Sequence, residues 1–352
     1  MKYLIEHLPR IGTIVVILED FNNVRVEHLR SESVELVDSN GMTTILELPH
    51  RIDINSGRKG LQKNEGGVKT LRLKATRDVE NSEDYKDRSI NRAMLATPQR
   101  WMRKDLLAPT AFDIECRACN GSLISSKDCS AINELPSEFW AELMDYWHCH
   151  KPTVQHSVQV DRYSKLNPRS SELLVGNSVF CVNSTWVTAK LSFTARYVRC
   201  SKCNHTVGQV SQDGHLYNIN KWNTRLVKGE GVEYFSPELH VTAILVNALN
   251  SNGTRKILLK NAHNECGILI WMFVVGLNVT MTGNQTFKNC IKVYYKRTVD
   301  APSLSKAQNI ESFVIDSVPL QHFSQKLDAV NAQLPHFLKT MDSWNLSFLH
   351  CS

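Results

Sequence analysis

Two Cys-x-x-Cys motifs constrain the fold of this chain more than any other feature. They are Cys116/Cys119 and Cys200/Cys203, and 80 residues lie between them. Each motif directs two thiolates towards one point, and zinc prefers four such ligands in a tetrahedron, at about 2.3 Å. We therefore predict that all four cysteines hold one structural Zn2+ ion. The long separation predicts an ion that bridges two sheets.

The alternative interpretation is two unrelated pairs of buried or redox-active cysteines. The first motif opens no recognisable helix, which disfavours a thioredoxin-like redox site. The sequence has ten cysteines and no recognisable secretory signal, so thiols and metal ligands are favoured over disulfides. The longest apolar run, 267–277, is about half of a membrane span. We expect a protein of the cytoplasm or nucleus that has no membrane contact.

Short runs of β-branched residues between turn signals predict the fold class. Such runs fill much of 13–76, and others surround the cysteine motifs. The predicted class is α+β, mainly antiparallel β, with a zinc-bridged β domain and a C-terminal α/β region. The predicted domains are a β-rich domain at 1–95, a zinc-binding domain at 96–228 and an α+β region at 229–352. The densely charged stretch 77–92 is interpreted as a solvated linker.

Helical spacing of apolar residues predicts three helices. The first covers 135–147, with Trp140 and Trp147 on its apolar face. The second begins at Ser236-Pro237-Glu238, a favourable helix start. The third is a final amphipathic helix over 320–334. We expect Trp140, Trp147 and Trp222 to be core residues of the zinc domain.

Cys149 is the candidate catalytic residue, and it has three possible roles. It lies between His148 and His150 at the predicted end of a helix. The helix dipole there raises a thiol pKa, whereas neighbouring imidazolium groups lower it. The roles are thioester nucleophile, accessory metal ligand and packed structural thiol. The helix end favours the packed thiol.

The order of several motifs resembles a known family. They are Cys116-x-x-Cys119, Leu135-Pro-x-x-x-Trp140, Trp147-x-Cys149-His150, Gly176-Asn-Ser-Val-Phe-Cys-Val-Asn, Cys200-x-x-Cys203-x-x-x-x-Gly208 and Tyr217-x-x-x-Lys221-Trp222. The chain resembles the HECT-like ubiquitin ligases, also described as ubiquitin-conjugating-enzyme-binding proteins. The resemblance covers most of 100–352 and is weaker before that. At the level of the fold alone, the cysteine region is similar to the zinc-bridged β fold of Yippee-type domains.

The resemblance implies two functions for a fungal member of the family. The first is ubiquitin transfer from a bound ubiquitin-conjugating enzyme, for which the family's proposed reactive cysteine corresponds best to Cys149. The second is a non-catalytic role as binding or assembly factor for the endonuclease of the mRNA cleavage and polyadenylation machinery, in pre-mRNA 3′-end processing. The first is the leading expectation, and the second is the alternative.

Basic residues on predicted strands raise a third possibility, contact with nucleic acid. They are Arg196, Arg199, Lys202, Lys292, Lys296 and Arg297, with Tyr197, Tyr294 and Tyr295 between them. The net charge of +6 is a mild bias for 352 residues. A solvated strand face explains the same residues, so the sequence disfavours a nucleic-acid partner.

Overall fold

The computed structural model of the chain describes residues 2–19, 23–56, 62–63, 68–76, 100–107, 109–135, 168–186, 189–211, 214–261, 266–298 and 309–350. The predicted linker 77–92, residues 136–147 of the predicted helix and Cys149 lie outside these residues. The chain divides into two compact units. We call them the middle unit, 98–243, and the split unit, 1–97 together with 244–352.

Strands predominate in both units. The strands, numbered along the chain, are β1 (Lys2–Leu8), β2 (Thr13–Glu19), β3 (Arg25–Leu29), β4 (Ser33–Val37), β5 (Thr43–Glu47), β6 (Gln62–Lys63), β7 (Lys69–Lys74), β8 (Phe112–Cys116), β9 (Ser122–Ser125), β10 (Ala131–Glu134), β11 (Glu172–Val175), β12 (Val179–Asn183), β13 (Leu191–Phe193), β14 (Tyr197–Cys200), β15 (Thr206–Val210), β16 (Leu216–Asn220), β17 (Thr224–Lys228), β18 (Gly231–Tyr234), β19 (Lys256–Asn261), β20 (Gly267–Met281), β21 (Gln285–Thr298), β22 (Glu311–Ile315), β23 (Thr340–Met341) and β24 (Trp344–Leu349). The α-helices are α1 (Arg103–Leu106), α2 (Glu238–Asn252) and α3 (Ser317–Gln333).

The split unit is built on a large sheet that joins the two ends of the chain. Over the described residues the strand order is β23-β24-β21-β20-β1-β2-β7-β6, with β19 paired to β20 and β22 to β19. Strand β1 pairs with β2 along its whole length and with β20 from Leu4–Met281 to His7–Asn278. The pairing therefore places segments of the predicted domains 1–95 and 229–352 in one sheet.

Alternating burial explains how β2 packs in this sheet. Ile14, Val16 and Leu18 are fully buried, and the residues between them are half-buried. Side chains of a strand alternate between faces, so this pattern marks one apolar face. The buried face packs against Val34 and Leu46 of the smaller sheet β3-β4-β5.

The middle unit contains two sheets with a common core. In the described part of the unit, one sheet has the order β10-β11-β12-β16-β15-β14-β13, and the other has the order β18-β17-β8-β9. A single 3-10 turn, Lys221–Asn223, connects β16 of the first sheet to β17 of the second. Buried side chains from both sheets, including Phe180 and Ile114, form one cluster.

The predicted fold class, α+β with mainly antiparallel strands, is confirmed. Helices α2 and α3 occur where the sequence predicts them. Strands β13 and β14 form a hairpin, closed by the Thr194 N–H donating to the Tyr197 carbonyl at 2.9 Å. In the part of the chain that the structure describes, no helix is long and apolar enough to cross a membrane.

Candidate metal centre

The two cysteine motifs form turns with the same backbone geometry. The Asn120 N–H donates to the Cys116 carbonyl at 2.9 Å, and the Asn204 N–H donates to the Cys200 carbonyl at 2.8 Å. Both asparagines have left-handed backbones, with φ of 59° and 61°. Asparagine tolerates this region because its short polar side chain bonds locally. The residue after each motif therefore suits the turn that it must close.

A second hydrogen bond closes each turn. The Cys116 N–H donates to the Gly121 carbonyl at 2.8 Å, and the Cys200 N–H donates to the His205 carbonyl at 2.9 Å. At Gly121, a Cβ would lie 3.3 Å from Cys119 Sγ and 3.3 Å from Lys202 Cδ. Because Gly121 has no side chain, the aliphatic part of the Lys202 side chain, which belongs to the second turn, fits beside the first turn.

The four cysteine sulfurs lie within 4.8 Å of one another, so they could hold a metal ion. Cys116 Sγ is 3.7 Å from Cys203 Sγ, and Cys119 Sγ is 3.7 Å from Cys200 Sγ. A tetrahedron with zinc–sulfur bonds of about 2.3 Å separates its sulfurs by about 3.8 Å. The cluster therefore fits one tetrahedral ion with four sulfur ligands, and the predicted convergence of the two motifs is confirmed.

The cluster connects the two sheets of the middle unit. Cys116 is the last residue of β8, which lies in the sheet β18-β17-β8-β9. Cys200 is the last residue of β14, which lies in the other sheet. The site thus bridges two sheets, as the spacing of the motifs predicts.

The environment of the thiols differs across the cluster. Cys116 and Cys200 are buried, Cys119 is half-buried and Cys203 is exposed. Burial raises the pKa of the Cys116 thiol to about 12. The backbone N–H of Gly121 lowers the pKa of the Cys119 thiol. A cation must therefore displace a firmly held proton at Cys116, which couples metal binding to proton release.

Arg117, inside the first turn, attaches that turn to the 3-10 turn Lys221–Asn223. Its backbone N–H donates to the Asn223 carbonyl at 3.1 Å, and its side-chain Nη1 donates to the Trp222 carbonyl at 3.0 Å. Trp222 is 5% exposed, which confirms its predicted place in the core. Its ring lies 4.7 Å from the ring of His240. Trp140 and Trp147 lie outside the described residues.

Lys221 is a structural residue of this region that sequence reasoning missed. Its side chain is fully buried, and Nζ donates to the carbonyls of Gly176 at 2.6 Å and Arg100 at 2.9 Å. Nζ also lies 3.2 Å from the Trp101 carbonyl oxygen and 3.3 Å from the Asn177 carbonyl oxygen. The feature of the sequence that could have indicated this buried role is the position of the lysine, directly after strand β16 and directly before Trp222. Lys221 therefore holds three chain segments together.

The predicted catalytic residue, Cys149, lies outside the described residues. Of the described cysteines away from the cluster, Cys181 and Cys290 are buried and Cys266 is exposed. Burial raises the pKa of the Cys129 thiol to about 11. The structure thus unites the four predicted metal ligands and leaves the prediction for Cys149 untested.

The fold and the cluster define a β-rich protein with a candidate four-cysteine metal centre. This chain belongs to the HECT-like ubiquitin-conjugating enzyme (E2)-binding family, whose family model matches residues 6–346.

Similar proteins occur in fungi and mammals. The uncharacterised protein YJR141W of Saccharomyces cerevisiae is 31% identical over 356 residues, covering 99% of each chain. An E3 ubiquitin-protein ligase of Rattus norvegicus is 21% identical over 283 residues, covering 72% of this chain and 75% of its own. The uncharacterised protein C1734.10c of Schizosaccharomyces pombe is 21% identical over 245 residues, covering 67% of this chain and 72% of its own. No solved structure is significantly similar to the chain.

Proposed function

We propose that this protein binds a ubiquitin-charged conjugating enzyme and promotes transfer of the ubiquitin to a lysine. The family match carries the proposal, because the family is described as E2-binding and covers residues 6–346. The name of the rat relative, a ubiquitin-protein ligase, supports the same activity. The proposed compartment is the cytoplasm or the nucleus, which the eight free cysteines of the described residues support. Fluorescence microscopy of the tagged chain tests the compartment.

We further propose that the ion at the cysteine cluster is a single zinc and that its role is structural. Four cysteine ligands fill a tetrahedral shell and leave no position for a substrate or a water. Cys116, Cys119, Cys200 and Cys203 would hold the ion, which would stabilise the contact between the two sheets. Ubiquitin transfer is therefore assigned to other residues of the chain.

Cys149 is the proposed nucleophile if transfer passes through a thioester. In that step the Cys149 thiolate attacks the thioester carbonyl of the charged conjugating enzyme. A new thioester forms, and the thiolate of the conjugating enzyme leaves. The buried thiols of Cys181 and Cys290 and the raised pKa of the Cys129 thiol make those residues poorer nucleophiles. If no thioester forms, the chain would act by holding the charged enzyme next to the lysine.

The test is a discharge assay with charged conjugating enzymes and the full chain under non-reducing conditions. Faster discharge to free lysine than without the chain supports the proposal. A reducible ubiquitin adduct that Cys149→Ala abolishes and Cys266→Ala retains, with metal content unchanged in both, identifies the covalent route. Discharge without an adduct identifies the non-covalent route. If no conjugating enzyme binds or discharges, the ligase proposal fails.

The alternative is a non-catalytic assembly factor for the mRNA cleavage and polyadenylation endonuclease. The burial of Cys181 and Cys290 and the raised pKa of the Cys129 thiol disfavour covalent transfer through these residues and so favour a binding protein. A pull-down from a fungal extract separates the two functions. Recovery of conjugating enzymes favours the ligase, whereas recovery of cleavage-factor subunits favours the assembly factor.

A further inference from the structure

A cluster of four aromatic rings lies on one face of the large sheet in the split unit. We call Trp271, Phe273, Tyr294 and Trp344 the aromatic platform. The Trp271 ring centroid is 5.1 Å from that of Phe273, 5.6 Å from that of Tyr294 and 6.1 Å from that of Trp344. The interplanar angles of these pairs are 83°, 36° and 63°. Edge-to-face and tilted pairs are favourable arrangements of aromatic rings, so the four rings form one packed cluster.

Most of the platform packs into the core of the split unit. Tyr294 is buried in a hydrophobic cluster that includes Val330 and Leu334 of α3, and Trp271 and Trp344 pack against that cluster. The neighbouring residue Tyr295 donates through its hydroxyl to Asp328 Oδ1 of α3 at 2.7 Å. Successive side chains point to opposite faces, so Tyr294 is on the other face of β21 from Tyr295. Trp271 is paired with Tyr294 and shares its face. Phe273 is 43% exposed, so part of the platform faces solvent.

Two lysines flank the platform. Lys256 Nζ lies 5.6 Å from the Trp271 ring centroid, and Lys296 Nζ lies 4.8 Å from that of Trp344. Among the residues that the structure describes, no carboxylate is within ion-pair distance of either lysine. By contrast, Lys292 pairs with Glu6 at 2.8 Å, and Arg297 pairs with Asp328. Lys296 therefore differs from Lys292 and Arg297 of the same strand, because it lies beside the platform without a carboxylate partner among the described residues.

A cleft of about 690 Å³ adjoins the platform, and Trp271 forms one of its walls. Its volume is within the usual range of ligand pockets, about 300–1,000 Å³. Arg255 and Lys256 supply positive charge, and Asn309 and Glu311 supply oxygen acceptors. Arg255 is fixed in place because its Nη1 donates to the Met272 carbonyl at 3.2 Å.

We propose that the platform and the cleft bind single-stranded nucleic acid, a partner that the sequence alone disfavours. Bases stack on the rings of Trp271 and Phe273, and phosphates lie against Arg255, Lys256 and Lys296. Aromatic rings flanked by cations bind single strands because every base has a π-face and every linkage has a negative charge. This partner goes beyond the proposed ubiquitin transfer and does not depend on it.

The cleft favours a nucleic acid over an acidic peptide, which has the same charge. Acidic side chains lack the planar faces that stack on aromatic rings, whereas every base has one. The combination of aromatic rings and cations therefore matches a base joined to a phosphate.

The test measures binding of a short fluorescent oligocytidine to the full chain by anisotropy at several salt concentrations. Phe273→Ala should weaken binding about tenfold, since stacking of one base is equivalent to roughly 5- to 150-fold in affinity. Lys256→Glu with Lys296→Glu should weaken binding and reduce the salt slope by about 1.4, since each contact with a single strand contributes about 0.7. Circular dichroism and metal content must stay unchanged in these variants.

A matched control is Lys288→Glu with Lys326→Glu, which changes the same charge at exposed lysines away from the platform. This control should retain the affinity of the unmodified chain. The proposal is overturned if the oligonucleotide does not bind at low salt or if the control weakens binding equally. Displacement of the oligonucleotide by polyglutamate at equal charge concentration would overturn it in favour of an acidic-peptide site. No conjugating enzyme is present, so neither result bears on the ligase proposal.

Discussion

Replacing Lys221 with methionine should strongly destabilise the middle unit. Methionine retains most of the volume of the lysine side chain and removes the ammonium group. Lys221 is fully buried, and its Nζ contacts the carbonyls of Arg100, Trp101, Gly176 and Asn177. The contacts with Trp101 and Gly176 are themselves buried, so water cannot replace the lost donor there.

Two opposing effects determine the size of the change. Each buried carbonyl left without a donor costs about 1–3 kcal/mol, so the carbonyls of Trp101 and Gly176 together cost about 2–6 kcal/mol. Removing the ammonium also removes its own burial penalty, which favours the variant. The exposed parts of the Arg100 and Asn177 carbonyls recover bonds to water. We therefore expect Lys221→Met to destabilise the unit by about 3–5 kcal/mol, within the range given by the two buried carbonyls.

The assay is urea and thermal unfolding of the full chain, with hydrogen exchange to locate the change. A loss of about 3–5 kcal/mol corresponds to a fall in Tm of roughly 6–20 °C for a unit of this size. Exchange should accelerate most in 98–243. Lys127→Met removes an exposed lysine from the same unit and should change the stability by less than about 0.5 kcal/mol. A loss of one carbonyl contact costs at least about 1 kcal/mol. If the free energy of unfolding of Lys221→Met were within about 1 kcal/mol of that of the unmodified chain, the structural role given to Lys221 would be refuted.

Three further predictions concern the same unit. Elemental analysis should find one zinc per chain. Chelation or Cys116→Ser should lower the melting temperature sharply, because structural zinc binds with about 10–16 kcal/mol. Cys129→Ser is the control, and a folded chain without zinc would contradict the assignment. Gly208→Ala should destabilise the middle unit by about 3 kcal/mol or more, since its Cβ would lie 2.0 Å from the Asn218 carbonyl oxygen and β15 and β16 would have to separate. Unchanged urea unfolding would show that the strands accept the methyl group without separating. Trp222→Ala should cost about 3–5 kcal/mol, because the ring is buried; calorimetry that shows a loss below 1 kcal/mol would place the ring outside the core.

Local patterns in the sequence determined much of the secondary structure and identified the four cysteines of the candidate metal centre. Alternation of apolar residues predicts strands such as β2, because a strand repeats every two residues. The Ser236-Pro237-Glu238 start and the apolar spacing after 320 predict α2 and α3. The Cys-x-x-Cys spacing and the asparagine after each motif predict the two turns. These features depend on neighbours a few residues away, and the sequence alone is sufficient for them.

Only the tertiary structure determined which distant segments meet. The pairing of β1 with β20 joins residues more than 270 positions apart, and no local periodicity specifies the partner or the register of a strand. The same limit hid the role of Lys221, since its four carbonyls come from 100–101 and 176–177. It also hid the aromatic platform, whose rings come from β20, β21 and β24. The physical reason is that burial and pairing depend on how surfaces match after the chain has folded, which residue types at single positions do not specify.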